Sequence, residues 1–159
     1  MKNIKEPFVM ILIGPTLSGK STYIRNTYPN VEVISRDEIV MEVFGSRDYS
    51  LAFKEVDQKE VDRVLATRLK EANELKTSVI IDMTNMTVKR RMATLRNFDK
   101  DFSRVAVVFP ILSSDEYTRR NIDRKEKENK WIPPFVIKSM IDSYQEPTLE
   151  EGYDTTIIL

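Results

Sequence analysis

Residues 14–22 read Gly-Pro-Thr-Leu-Ser-Gly-Lys-Ser-Thr, and that spacing suits the holding of phosphate. Gly14 and Gly19 allow turns closed to residues with a β-carbon, so consecutive N–H groups can point inward at an anion. Thr16 and Ser18 line the same loop. A helix starting here presents the positive end of its dipole to that point. Lys20 has the reach for β- and γ-phosphates, the Ser21 hydroxyl can ligate Mg²⁺, and Thr22 extends the polar rim. An accidental glycine-containing turn would share the glycines. It would not come with the apolar run Phe8–Ile13 before it and an amphipathic stretch after it.

Three further groups can take part in phosphate chemistry. Asp37, in Ser35-Arg36-Asp37-Glu38, follows a β-branched run. A carboxylate there can orient an acceptor hydroxyl and take its proton, and Arg36 beside it is a candidate substrate contact. The same four residues also read as a helix capping box from Ser35 to Glu38, and the two roles are compatible. Asp82 ends the apolar run Val79–Asp82, a position suited to Mg²⁺ or to a structural hydrogen bond with Ser21. Thr84 and Asn85 follow as substrate contacts or as caps of the next helix. Finally, Arg120 and Arg124 lie four apart on one helical face, where they can close on a transferring phosphoryl group or face solvent within ion pairs.

These residues need a scaffold that brings them together. Apolar runs at Phe8–Ile13, Val31–Ile34, Val79–Asp82, Val105–Phe109 and Thr155–Leu159 predict buried strands. Helical patterns lie between them over 20–27, 36–43, one long stretch of about 51–75, 89–99, 115–128 and 135–144. Strands alternating with helices predict one doubly wound α/β domain over residues 1–159, with a parallel five-stranded sheet and ligands at the carboxyl ends of the strands. The charged stretch at about 115–134, bounded by Pro133-Pro134, suits a mobile lid.

Composition narrows the chemistry. The 159 residues include no histidine and no cysteine, so base and metal-ligand roles fall to carboxylates, hydroxyls or lysine, and no disulfide framework exists. No apolar run approaches the roughly 20 residues that cross a bilayer. The first residues lack the apolar core of a signal peptide, so a cytoplasmic protein is expected, of the host cytoplasm if the chain is viral. The formal charge of +0 argues against coating nucleic acid through an overall field, though not against gripping a few nucleotides. Local cations stand at Arg47 and at Lys89-Arg90-Arg91.

Taken together, the residues resemble the 5′-kinase domain of polynucleotide kinases, both the phage enzyme and the kinase module of eukaryotic end-healing enzymes. The resemblance rests on GPTLSGKST, Arg36-Asp37, Asp82 with Thr84-Asn85, Lys89-Arg90-Arg91, and Arg120-Asn121 with Arg124. Pro147-Thr148-Leu149-Glu150-Glu151-Gly152-Tyr153 adds to it, being similar to the PTLxEGF segment of the eukaryotic module. It implies a P-loop kinase-like fold and ATP and Mg²⁺ as cofactors. Lys20, Ser21 and Thr22 would hold phosphates and metal, and Asp37 would be the base for a DNA or RNA 5′-hydroxyl. Arg124 would stabilise the phosphoryl group in flight, Arg120 would lie near the nucleotide and Asp82 near the metal.

Two positions depart from the phage pattern. Val40 replaces an arginine that grips the first internucleotide phosphate, and Met83 replaces an acid. Arg47, or Arg90 within its basic cluster, is the candidate substitute for that grip. The alternatives are a kinase of a small hydroxylated metabolite or nucleoside, and an ATP-binding switch, which would have no use for Asp37.

Overall fold

The computed structural model describes residues 3–159. Five strands form one sheet: β1 (Phe8–Ile13), β2 (Glu32–Ser35), β3 (Val79–Asp82), β4 (Ser103–Val108) and β5 (Thr155–Ile158). Their order is β2-β3-β1-β4-β5, and every pairing is parallel. Among the described residues seven helices connect them: α1 (Lys20–Thr27), α2 (Arg36–Phe44), α3 (Tyr49–Glu55), α4 (Gln58–Glu74), α5 (Val88–Leu95), α6 (Ser114–Glu128) and α7 (Pro134–Asp142). A single 3₁₀ turn, Leu149–Glu151, precedes β5.

β1 lies in the middle of the sheet and is buried along its whole length, which explains its unbroken apolar run. Because side chains alternate across a strand, it feeds two cores. Val9, Ile11 and Ile13 pack on one face with Ile39 of α2, Val61 of α4, Leu95 of α5, Tyr117 of α6 and Ile137 of α7. Phe8, Met10 and Leu12 pack on the other with Ile24 of α1 and Phe109. Each such aliphatic side chain contributes about 2 kcal/mol by leaving water.

The long helix expected over 51–75 is two helices. Val56 is extended (φ −66°, ψ 147°) and buried, and Asp57 starts α4 by accepting from the N–H groups of Lys59 (3.0 Å) and Glu60 (3.4 Å). Asp48 caps α3 through the N–H of Leu51 at 3.0 Å. An aspartate that satisfies the free N–H groups of a first turn favours a helix start over a helix interior. Among the described residues, no helix is long and apolar enough to cross a membrane.

Candidate active site at the carboxyl edge of the sheet

Gly14 leaves β1 in a confined space. A β-carbon there would lie 2.9 Å from Phe109 Cβ and 3.1 Å from Ser18 Oγ, so only glycine lets the chain pass. Gly19, at φ 93°, takes the left-handed conformation at the start of α1. No side chain caps this helix and no acid occupies its first turn, so the positive end of the dipole is left for an outside anion. Ser18 supports the loop from within, donating from Oγ to the Pro15 carbonyl at 2.6 Å. The Lys20 ammonium donates to the carbonyls of Gly14 (2.8 Å) and Pro15 (2.7 Å). Burial lowers its pKa to about 8, against the opposing pull of Asp82 and Asp37, while Arg124 lowers it further.

Helix α6 lies on this loop. Arg120 Nη1 donates to the Leu17 carbonyl at 2.9 Å, and Arg124 Nη1 donates to Thr16 Oγ1 at 3.2 Å. Glu116 holds Arg120 from behind at 2.8 Å, and the guanidinium groups of Arg119 and Arg120 keep its carboxyl at about 2. Asn121, buried one turn earlier than Arg124, ties the segment after α6 back to the helix. It donates to the Ile132 carbonyl at 2.6 Å and accepts the Ile132 N–H at 3.1 Å.

Asp37 occupies the first turn of α2 where β2 ends. Among the described residues, nothing donates a hydrogen bond to its carboxylate and no cation pairs with it. The capping box here is half formed. Ser35 Oγ accepts the Glu38 N–H at 3.4 Å, but the Glu38 carboxylate pairs with Arg47 at 3.0 Å instead of turning back. Asp82 ends β3 one strand from the loop, and burial pushes its pKa up while Lys20 pulls it down. Lys20, Asp37, Asp82 and Arg124 therefore form one electrostatic group.

The AAA domain family model matches residues 9–147. The chain belongs to the AAA domain family. Solved structures add the fold. A chain in the structure of the Pnkp1/Rnl/Hen1 RNA repair complex is 23% identical with a TM-score of 0.69, over 89% of this chain and 45% of that one. This AAA domain thus spans less than half the length of that protein. Kti12 of Chaetomium thermophilum in complex with ADP-AlF3 is 16% identical at TM-score 0.67, over 95% of this chain and 88% of that one. Shikimate kinase of Acinetobacter baumannii, in complex with shikimate, is 16% identical at TM-score 0.57, over 96% and 84%. No curated protein sequence matches the chain. The parallel sheet with flanking helices is a P-loop kinase-like fold.

Within this AAA domain, several residues expected at the substrate are engaged elsewhere. Arg36 is turned onto α4, donating to Asp62 and Gln58 at 2.7 Å each. Asn85 is buried, and its side-chain amide donates to the Leu12 carbonyl at 2.7 Å. Thr84 meets the phosphate loop through its carbonyl, which accepts the Gly14 N–H at 3.0 Å. The basic run 89–91 is not one patch. Lys89 and Arg90 are exposed, whereas Arg91 is wholly buried against Glu151 at 2.6 Å. Val40 is fully buried in the core and Met83 packs against it.

Tyr49, at the start of α3, carries no signal in the sequence. Its ring is buried, packed on Phe53 at 5.6 Å and covered by the Lys130 ammonium from the segment after α6 at 4.8 Å. Burial pushes its phenol to about 12, Asp37 adding to the rise and Arg124 opposing it. The segment from α6 to Lys130 thus touches both the 14–22 loop and α3.

The donors near the loop fit Mg²⁺. The exposed Ser21 hydroxyl and the Asp82 carboxylate are hard oxygen ligands. Among the described residues there is no cluster of three or more His, Cys, Asp or Glu that could hold a metal. Such a pair suits an ion that keeps several waters and shares substrate phosphates, as Mg²⁺ does.

Proposed function

We propose that this AAA domain is an ATP- and Mg²⁺-dependent kinase that transfers the γ-phosphoryl group to a 5′-hydroxyl end of DNA or RNA in the cytoplasm. The observation that carries the reading is the Asp37 carboxylate at the start of α2, without a hydrogen-bond donor or a paired cation among the described residues and acting on Lys20 of the phosphate loop. A nucleotide switch needs no such group on the acceptor side. A likeness to a chain of an RNA repair complex is in keeping with a nucleic-acid end as acceptor.

Bound ATP supplies the phosphoryl group, and Mg²⁺ offsets the charge of its phosphates. The loop N–H groups and Lys20 hold those phosphates, and Ser21 and Asp82 are the residues to hold the ion. Asp37 orients the acceptor hydroxyl and accepts its proton as the new O–P bond forms and the old one breaks in line. Arg124 offsets charge on the phosphoryl oxygens, and no covalent bond to the protein forms. A positioned base supplies about 10²–10⁴ in rate, and positioning with charge stabilisation supplies the rest.

One observation favours a second reading, a kinase of a small hydroxylated metabolite. Val40 puts no cation at that position of α2, Arg36 at its start is held by Asp62 and Gln58, and Arg47 is held by Glu38. Transfer of labelled γ-phosphate to 5′-hydroxyl oligonucleotides of DNA and RNA, beside nucleosides and sugars, separates the two. Labelling of oligonucleotides supports the first reading. Labelling of a small molecule and of no oligonucleotide sinks it.

A further inference from the structure

The polar residues left unused by this chemistry form a connected interior chain that ends at the phosphate loop. Asn85 stands at its centre. Its backbone is left-handed (φ 50°), which is uncommon outside glycine. Its Nδ2 donates to the carbonyls of Leu12 (2.7 Å), Met83 (3.2 Å) and Ile81 (3.4 Å), so three acceptors decide which way the amide faces. Its Oδ1 is buried without a partner among the described residues. A left-handed backbone and an orphaned acceptor are both unfavourable, and they persist where the surroundings over-determine them.

Those surroundings are Arg91 and Glu151. Arg91 Nη1 donates to the Asn85 carbonyl at 2.9 Å. Its Nε and Nη2 donate to the two Glu151 oxygens at 2.6 and 3.3 Å, and both side chains are wholly buried. Glu151 also accepts from the Thr148 N–H (2.7 Å) and the Tyr153 hydroxyl (3.1 Å). On the other side, Asn85 grips the strand two residues before Gly14, and the neighbouring Thr84 carbonyl accepts the Gly14 N–H.

We propose that Asn85 is a positioning residue for the phosphate loop, held in place by the Arg91–Glu151 pair, so that the segment 146–153 sets nucleotide affinity through these hydrogen bonds. The inference rests on the reading of residues 14–22 as the nucleotide site.

ADP titration by calorimetry tests it, each variant being kept well below its melting temperature. Asn85→Gly retains the left-handed backbone and removes the amide. Arg91→Met with Glu151→Leu replaces the charged pair by apolar side chains, a swap that buried pairs tolerate in stability, and removes the link to Asn85. Both are expected to melt cooperatively and to bind ADP at least tenfold more weakly. Wild-type affinity in folded Asn85→Gly overturns the proposal. Weak binding by Asn85→Gly with wild-type binding by the double variant overturns the role of the pair. If neither variant folds, hydrogen exchange of the wild-type protein decides: ADP must slow exchange across 148–153 as well as in the loop, and slowing confined to the loop overturns the link. Failure of the wild-type protein to bind ADP overturns the nucleotide-site reading itself.

Discussion

Arg124 Nη1 donates to Thr16 Oγ1 at 3.2 Å, joining residues 108 apart in sequence. Thr16 belongs to the 14–22 loop and Arg124 to α6, and in the proposed reaction this cation would offset charge on the phosphoryl group. Arg124→Ala should lower kcat about 10³-fold, in the range of an arginine that stabilises a transferring phosphoryl group. ADP affinity should change far less. Arg124→Lys should recover little, because an ammonium cannot reproduce the planar fork. Steady-state kcat beside calorimetric ADP binding measures both, and an unchanged kcat removes Arg124 from the mechanism.

Asp37→Asn keeps the shape of the side chain and removes its basicity. Transfer should fall about 10²–10⁴-fold with ADP affinity retained. Full activity in this variant would show that the base lies elsewhere.

The lowered pKa of Lys20 makes a pH prediction with a definite sign. Only the ammonium form attracts phosphate, and burial brings its pKa down to about 8. ADP affinity should therefore hold below pH 7 and weaken by up to tenfold per pH unit above about 8, with proton uptake on binding there. Calorimetry in two buffers of different ionisation enthalpy reads that uptake. Lys20→Met should abolish both the uptake and the alkaline limb. In the unliganded protein the same group favours unfolding while it is charged, so stability should rise as pH climbs from 8 towards the ordinary lysine value.

The Arg91–Glu151 pair governs acid stability. Burial pushes the Glu151 carboxyl up, but Arg91, the Thr148 N–H and Tyr153 more than offset this and hold it below the ordinary glutamate value. A lowered carboxyl contributes stability that is present above its unfolded pKa and lost as pH falls through the folded one. Glu151→Gln leaves a buried guanidinium without its counter-charge and should cost about 3–5 kcal/mol at pH 7. The gap from the wild-type protein should narrow below about pH 4, near the ordinary value for glutamate. Urea unfolding at the two pH values checks this, and a gap independent of pH would refute it.

Much of the fold was legible because its signals are local. β1 and β3 keep the predicted bounds, Phe8–Ile13 and Val79–Asp82, since a run buried on both faces of a parallel sheet has one reading. α1 keeps its bounds too, set by Gly19 and the loop before it. The break between α3 and α4 was local as well, in the cap at Asp57, but the apolar period of α4 concealed it. The half-formed box at Ser35 failed for a different reason. Glu38 is taken by Arg47, nine residues on, and spacing within the motif cannot register a competitor outside it.

Long-range pairing decided the remainder. Lys89, Arg90 and Arg91 look alike in the sequence, and α5 exposes the first two while burying the third against a glutamate 60 residues away. Tyr49 is an ordinary aromatic until the fold brings Lys130 over its ring. Asn85 reads as a cap or a substrate contact until three carbonyls surround its amide. A phosphate loop is built from the backbone and side chains of consecutive residues, so its chemistry is written in their order. Which charges are free to act, and which are spent within the fold, depends on partners that only chain folding brings into contact.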